Sequence, residues 1–459
     1  MDSWIIHLYS CLAVDLYIGF DLLSQNVATQ ALHDSGELSD PAKCHPDTRA
    51  AILTGLEEWA ESPSYNYPIK WMSGSAGVGK TAIMHTIAEI LQGRKLLLAG
   101  FFFWRTGERC NTIKFFIATL AYQIAISIPA TRPYIEHVVE EDPHIFTRTL
   151  EVQSRALIVD PITAVYRKHA LASNYPRILV VDGLDECMDI KNQIHDVENQ
   201  QEILRILHWT LQKLPVPFSL LIASRPEYHI ERMFDTGLKD ISSRLVLNDA
   251  HDIDADIERF YVDKFREIRE HHPLRFYLPP EWPPLKTIQL LVHYASGQFI
   301  YASTAVKFVA AKKKNPASQL DIIMGSKLSE GVSPFLALDM LYSTIFSMID
   351  EEDLHVTLRV LGALLTSLSN DFPPSLWDIF LGLQQGEVER LMLGLESLLL
   401  LKSTDGRTFR FYHGSFPNFL FNSTSSGPFF ITKSIVAEDL VKKGVYHNST
   451  TNGKYYLNI

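Results

Sequence analysis

Residues 74–81 read GSAGVGKT, and no other stretch limits what this chain can fold into so tightly. Gly74, Gly79, Lys80 and Thr81 fill every fixed place of G-x-x-x-x-G-K-[ST]. Such a loop wraps backbone N–H groups around an anion, and a helix that follows aims its positive end at the same point. Ser75, Ala76, Gly77 and Val78 would add main-chain donors to the cradle. Lys80 would reach the β- and γ-phosphates of a nucleotide, and the Thr81 hydroxyl would ligate Mg²⁺. Average composition gives an accidental match on the order of 1% in a chain this long. The flanks fit as well: "YPIKWM" reads as a short buried strand and "TAIMHTIAEIL" as a helix.

Further apolar runs repeat that strand form: "KLLLAGFFFW", "PRILVVDGLDEC" and "PFSLLIASRPE". Continuous apolar strands alternating with helices indicate a parallel sheet covered on both faces. Residues 46–245 are therefore expected to form one doubly wound α/β domain, beginning with a helix N-capped by Asp47. Residues 1–45 read as an N-terminal helix and a polar linker. After about residue 250 the apolar runs take helical spacing, so 246–328 is expected to be a helical domain. Residues 329–425 hold a leucine-rich helix, "VERLMLGLESLLLL", and a hairpin around Asp405–Gly406, a winged-helix-like combination. Residues 426–459 form a tail.

A phosphate cradle needs an acidic partner for its metal. Asp182 ends an apolar run, where it can hold Mg²⁺ through water. Glu186 is placed to activate an attacking water, with Asp185 positioning it. Arg225, at the end of "LLIASR", can sense a γ-phosphate. Arg105 and Arg109 are further arginines without an assigned role.

Bulk properties exclude several classes. Hydrophobic residues make up 46% and charged residues 21%, the balance of a folded chain. A net charge of −11 argues against broad electrostatic binding of nucleic acid. The four cysteines show no metal spacing and suit a reducing, cytoplasmic setting. Asp2, His7, Asp15 and Asp21 interrupt the apolar N-terminus, so no membrane span is expected there.

With the three site segments in order, the chain resembles the NACHT domain of the STAND class of P-loop NTPases. The likeness is to fungal NOD-like proteins with a nephrocystin-3-like NTPase region, and it runs from residue 40 to about 430. Beyond the motifs already quoted, "CHPDTRAAILTGLEEWAES", "FFFWRTGERCNTIKFFIATLAYQIA", "LIVDPI", "SGQFIYASTAVKF" and "FRFYHGSFPNFLF" carry it. The run from Asp182 to Glu186, with small Gly183 after the metal aspartate, is its most diagnostic part. The resemblance implies an α/β NTPase domain, a helical domain and a winged helix, with ATP or ADP and Mg²⁺ bound. It implies that His413 contacts the β-phosphate of ADP and holds a closed state. Exchange for ATP would then permit self-association and engagement of a protein partner, as in innate-immunity-like signalling. About 45 residues precede the domain and about 30 follow the winged helix, too few for the effector and sensor regions of the family plan.

The expected function is a nucleotide-controlled switch with slow ATP hydrolysis. A continuously cycling remodelling ATPase and a nucleotide-free scaffold are the alternatives. The intact Lys80, Thr81, Asp182 and Glu186 speak against the scaffold.

Overall fold

The computed structural model describes residues 18–36, 42–61, 67–105, 107, 109–188, 194–247, 253–325, 334–366, 374–402 and 408–432. They divide into two compact units. Of the described residues, the first takes in those up to Cys44, those of Ala50–Ser75 and those of Lys80–Leu247; the second takes in His45–Arg49, Ala76–Gly79 and those from Ile253 on.

The first unit is built on five parallel strands: β1 (Ile69–Ser73), β2 (Leu97–Phe102), β3 (Ile178–Asp182), β4 (Ser219–Ser224) and β5 (Ser242–Val246). Their order across the sheet is β2-β3-β4-β1-β5. β2, β3 and β4 are buried at every position, which is why they read as unbroken apolar runs. β5, with sequence SSRLV, is half exposed at the sheet edge and carries too little apolar character to be noticed in the sequence. On β1, Trp71 is fully buried and stacked on Phe234 at 4.3 Å. Its indole N–H donates to Ser224 Oγ on β4 at 2.9 Å, so the buried polar atom is satisfied.

Register fixes the functional edge. Ser73 is level with Ser224 and Val246, and Phe102 is level with Asp182. The carboxyl ends of β1, β3 and β4 thus lie side by side, where open α/β sheets bind ligands. The helix before the sheet begins at Ala50, not at Asp47. Asp47 and Arg49 both take left-handed backbone conformations, φ 60° and 57°, which helical geometry does not allow, so Asp47 is not its N-cap. Leu23, Ala28 and Ala31, ahead of that helix, are buried in the core of the first unit.

The second unit is mostly helical, from Ile253–His271 through Glu387–Leu393, and shares one continuous core. Tyr261, Tyr301, Tyr342, Phe346, Trp377 and Phe416 are among its largest buried side chains. The leucine-rich segment does not stay helical. Its helix stops at Leu393, and Leu399–Lys402 becomes β6, paired antiparallel with β7 (Thr408–Phe411). Gly394 and the turn after it break the helix, and a run of four leucines suits a strand as well as a helix. The turn at Asp405–Gly406 and the linker 326–333 lie outside the described residues. Among the described residues no single helix is long and apolar enough to cross a membrane.

Candidate functional site

The glycine-rich loop joins the end of β1 to the helix Lys80–Gly93. Gly77 and Gly79 take φ of 81° and 95°, a region that residues with a Cβ avoid, so the loop needs glycine at both. Lys80 Nζ donates to the carbonyls of Gly74 at 2.7 Å and Ser75 at 2.9 Å. Burial lowers the Lys80 pKa, and the negative charges of Asp185 and Asp182 oppose that shift.

Asp182 closes β3 and is 2% exposed. Burial pushes its carboxyl up to about 7, against a hydrogen bond from the Thr81 side chain that pulls it down. Its Oδ1 is buried with no hydrogen-bond partner among the described residues. A buried carboxylate oxygen without a partner is costly unless something charged completes it. Together with the Thr81 hydroxyl it supplies the hard oxygen donors that Mg²⁺ prefers, the remaining ligands being phosphate oxygens and water. Asp182 and Thr81 therefore fit the metal that the motif implies. No cluster of three or more His, Cys, Asp or Glu side chains suited to a metal occurs among the described residues.

Gly183 follows in the left-handed region, φ 67°, and a Cβ there would lie 2.8 Å from the Phe103 carbonyl oxygen. Both constraints exclude any other residue and let the chain turn sharply into Leu184–Glu186. Glu186 Oε2 accepts the Arg105 backbone N–H at 2.9 Å. Burial, then the neighbouring Asp185 charge, raises the Glu186 pKa, which makes its carboxylate a stronger base. Arg105 thus enters the site through its main chain. Arg109 turns away from it, donating to the Gln25 carbonyl at 2.9 Å.

Asp185 faces the end of β4. Its Oδ1 accepts the Arg225 backbone N–H at 2.8 Å, and its Oδ2 lies 3.2 Å from Arg225 Nε. Lys80, Thr81, Asp182, Asp185, Glu186 and Arg225 are thus gathered at the carboxyl edge of one sheet. β4 lies between β1 and β3, so the arginine falls between the end of β1 and Asp182.

Sequence reasoning passed over Gln200 and His229, which bond to the acidic turn and to each other. It also passed over Arg49, which lies in the second unit with Ala76–Gly79. Its guanidinium donates to the Val78 carbonyl at 2.7 Å, stacks over Phe299 at 5.1 Å, and its backbone N–H donates to Asp256 at 2.9 Å. In the same unit the Ile300 N–H donates to the Gly77 carbonyl at 3.2 Å. A lone arginine in "PDTRAAIL" gives no signal of its target. His413 also belongs to the second unit. Its Nδ1 accepts the Ser415 backbone N–H at 3.0 Å and lies 2.7 Å from Ser415 Oγ, which is 2.8 Å from the Tyr342 hydroxyl.

Among known proteins, residues 48–225 match the family model described as Nephrocystin 3, N-terminal. No curated protein matches the chain. Solved structures with some likeness include the Aeropyrum pernix ORC2 protein, described as ADPNP-ADP complexes. It is 11% identical, with 91% of this chain and 99% of that one covered, at a TM-score of 0.37. Cdc6p from Pyrobaculum aerophilum is 11% identical, covering 89% and 98%, at 0.37. The Aeropyrum pernix ORC1 protein in complex with DNA is 15% identical, covering 89% and 96%, at 0.35. The strand–loop–helix at residues 69–93, the parallel sheet and the acidic end of β3 make the first unit a P-loop NTPase-type nucleotide-binding fold. Residues 48–225 carry the match to the nephrocystin 3 N-terminal family, the kind of NTPase region that the motifs resemble.

Proposed function

We propose that the protein is an ATP/ADP-binding switch of NACHT type, with slow Mg²⁺-dependent hydrolysis and self-association controlled by the bound nucleotide. The observation that carries the reading is the buried, partnerless Oδ1 of Asp182 beside the Thr81 hydroxyl, at the foot of an intact phosphate loop. Bound Mg²⁺ would neutralise phosphate charge, with Thr81 and Asp182 holding it. Lys80 would leave the Gly74 and Ser75 carbonyls for the β- and γ-phosphate oxygens. The main-chain N–H groups of residues 74–81 would bind the same oxygens. Glu186, fixed by the Arg105 N–H, would take a proton from the attacking water, while Asp185 keeps Arg225 at the phosphate side of β4.

In this reading His413 binds the β-phosphate of ADP, as the family resemblance implies. The Ser415 N–H can only donate, so His413 Nδ1 accepts, and the proton of the neutral ring sits on Nε2. No nucleic-acid partner, a protein partner met on activation and a cytoplasmic setting complete the proposal.

The test is to purify the chain, denature it without added nucleotide and identify what is released. Near-stoichiometric ADP supports the switch. An empty protein that turns over ATP well above once per minute points instead to a cycling ATPase. An empty protein that binds neither nucleotide overturns the reading.

A further inference from the structure

The acidic turn that follows β3 is held from behind as well as from the nucleotide side. Gln200 lies on the helix Ile194–Lys213 and is 4% exposed. Its Nε2 donates to the Asp185 carbonyl at 3.2 Å and to the Cys187 carbonyl at 3.0 Å. Two carbonyls converging on one end of the amide identify that end as the NH₂ group. The other end, Oε1, can only accept, and His229 Nε2 lies 2.6 Å from it. His229 must therefore carry its proton on Nε2 and donate it to Gln200. It sits on the helix Tyr228–Asp235, four residues after Arg225.

These contacts close a ring. Asp185 holds Arg225 through its carboxylate, the chain runs from Arg225 to His229, His229 holds Gln200, and Gln200 returns to the main chain of Asp185 and Cys187. Every bond in it restrains the backbone that carries Glu186. Within the turn the Glu186 N–H donates to the Gly183 carbonyl at 2.7 Å and the Cys187 N–H to the Leu184 carbonyl at 3.2 Å.

We infer that Gln200 and His229 are positioning residues that lock the Asp185–Glu186 turn to the arginine at the end of β4, so that the water-activating carboxylate and the γ-phosphate sensor move as one body. Neither residue touches nucleotide. Their removal disorders the turn without disturbing the phosphate loop, so hydrolysis suffers and binding does not. The inference rests on the nucleotide-switch reading for its catalytic consequence, but the brace itself is read out without nucleotide.

The experiment uses the full chain with Gln200→Leu, Gln200→Glu and His229→Phe. Amide hydrogen exchange is followed in the nucleotide-free proteins, and ATP affinity and single-turnover hydrolysis are measured separately. The inference expects exchange at the Glu186 and Arg225 amides to quicken at least about 10-fold, confined to residues 183–188 and 225. It expects hydrolysis about 10- to 100-fold slower, with ATP affinity within about 3-fold of the parent. His229→Phe, nearer the surface, should show the same pattern more weakly, and combining it with Gln200→Leu should add little. Unchanged exchange at both amides overturns the brace, as does exchange that quickens throughout the first unit with affinity and hydrolysis falling together. If the parent protein binds no ATP, the nucleotide reading fails, and the exchange pattern alone still supports or overturns the brace.

Discussion

Arg225 and Asp185 meet twice, backbone N–H to Oδ1 at 2.8 Å and Nε to Oδ2 at 3.2 Å, across the gap between the ends of β4 and β3. Asp185 is 5% exposed, and Asp182 and Glu186 stand close to it. The arginine is thus the counter-charge for an acidic cluster as well as a candidate sensor.

Arg225→Met should lower the stability of the nucleotide-free protein by about 2 kcal/mol, because the buried Asp185 carboxylate keeps the backbone N–H of residue 225 but loses its guanidinium partner. In an Asp185→Asn background the same substitution should cost at least about 1 kcal/mol less. Urea unfolding of the four proteins gives the coupling. Additive losses would mean that the pair does not interact.

Lys80→Ala should weaken ATP and ADP binding by at least about 100-fold, since the cradle loses the cation that would reach the β- and γ-phosphates. The substitution should change stability little, as among the described residues Lys80 bonds only to carbonyls of its own loop. Titration calorimetry and thermal unfolding on the same sample separate the two effects.

Glu186→Gln should bind ATP as the parent does and hydrolyse it about 100- to 1,000-fold more slowly. The amide keeps the acceptor for the Arg105 N–H but cannot take a proton from water. Normal single-turnover hydrolysis in this variant would remove Glu186 as the base.

The pH dependence follows from Asp182. Its carboxyl is raised from 3.8 to about 7 in the folded chain, so the folded state binds that proton more tightly than the unfolded state. The resulting stabilisation is complete below about pH 4 and is lost as pH rises through about 7. In metal-free protein, the stability of the parent relative to Asp182→Asn should fall across this window by roughly 4 kcal/mol at most. Mg²⁺ with nucleotide should flatten the difference, because the cation favours the ionised carboxylate. A pH-independent difference in metal-free protein would contradict the burial of Asp182.

Gly183→Ala should cost about 2 kcal/mol or more, because a left-handed φ of 67° is combined with a Cβ 2.8 Å from the Phe103 oxygen. Gly79→Ala at φ 95° has no atom within 4 Å of its Cβ and should show the conformational part alone. Unfolding midpoints of the two variants test that contrast.

The sequence by itself determined the chemistry of the site and the strands that present it. GSAGVGKT states its own spacing and marks β1 before it, and β2 to β4 are legible because strands buried on both faces read as apolar runs. It could not announce β5, whose SSRLV lies at an edge where polar residues are tolerated. It could not separate helix from strand in the leucine run that ends in β6, because either form buries leucine equally well. Tertiary structure alone decided that β4 lies between β1 and β3, and hence that Arg225 meets Asp185. It alone brought Gln200 and His229 behind the acidic turn, since ordinary polar residues on amphipathic helices leave no trace of their targets in local sequence. Motifs encode contacts to a ligand of fixed shape, whereas contacts between distant segments depend on where the sheet places them.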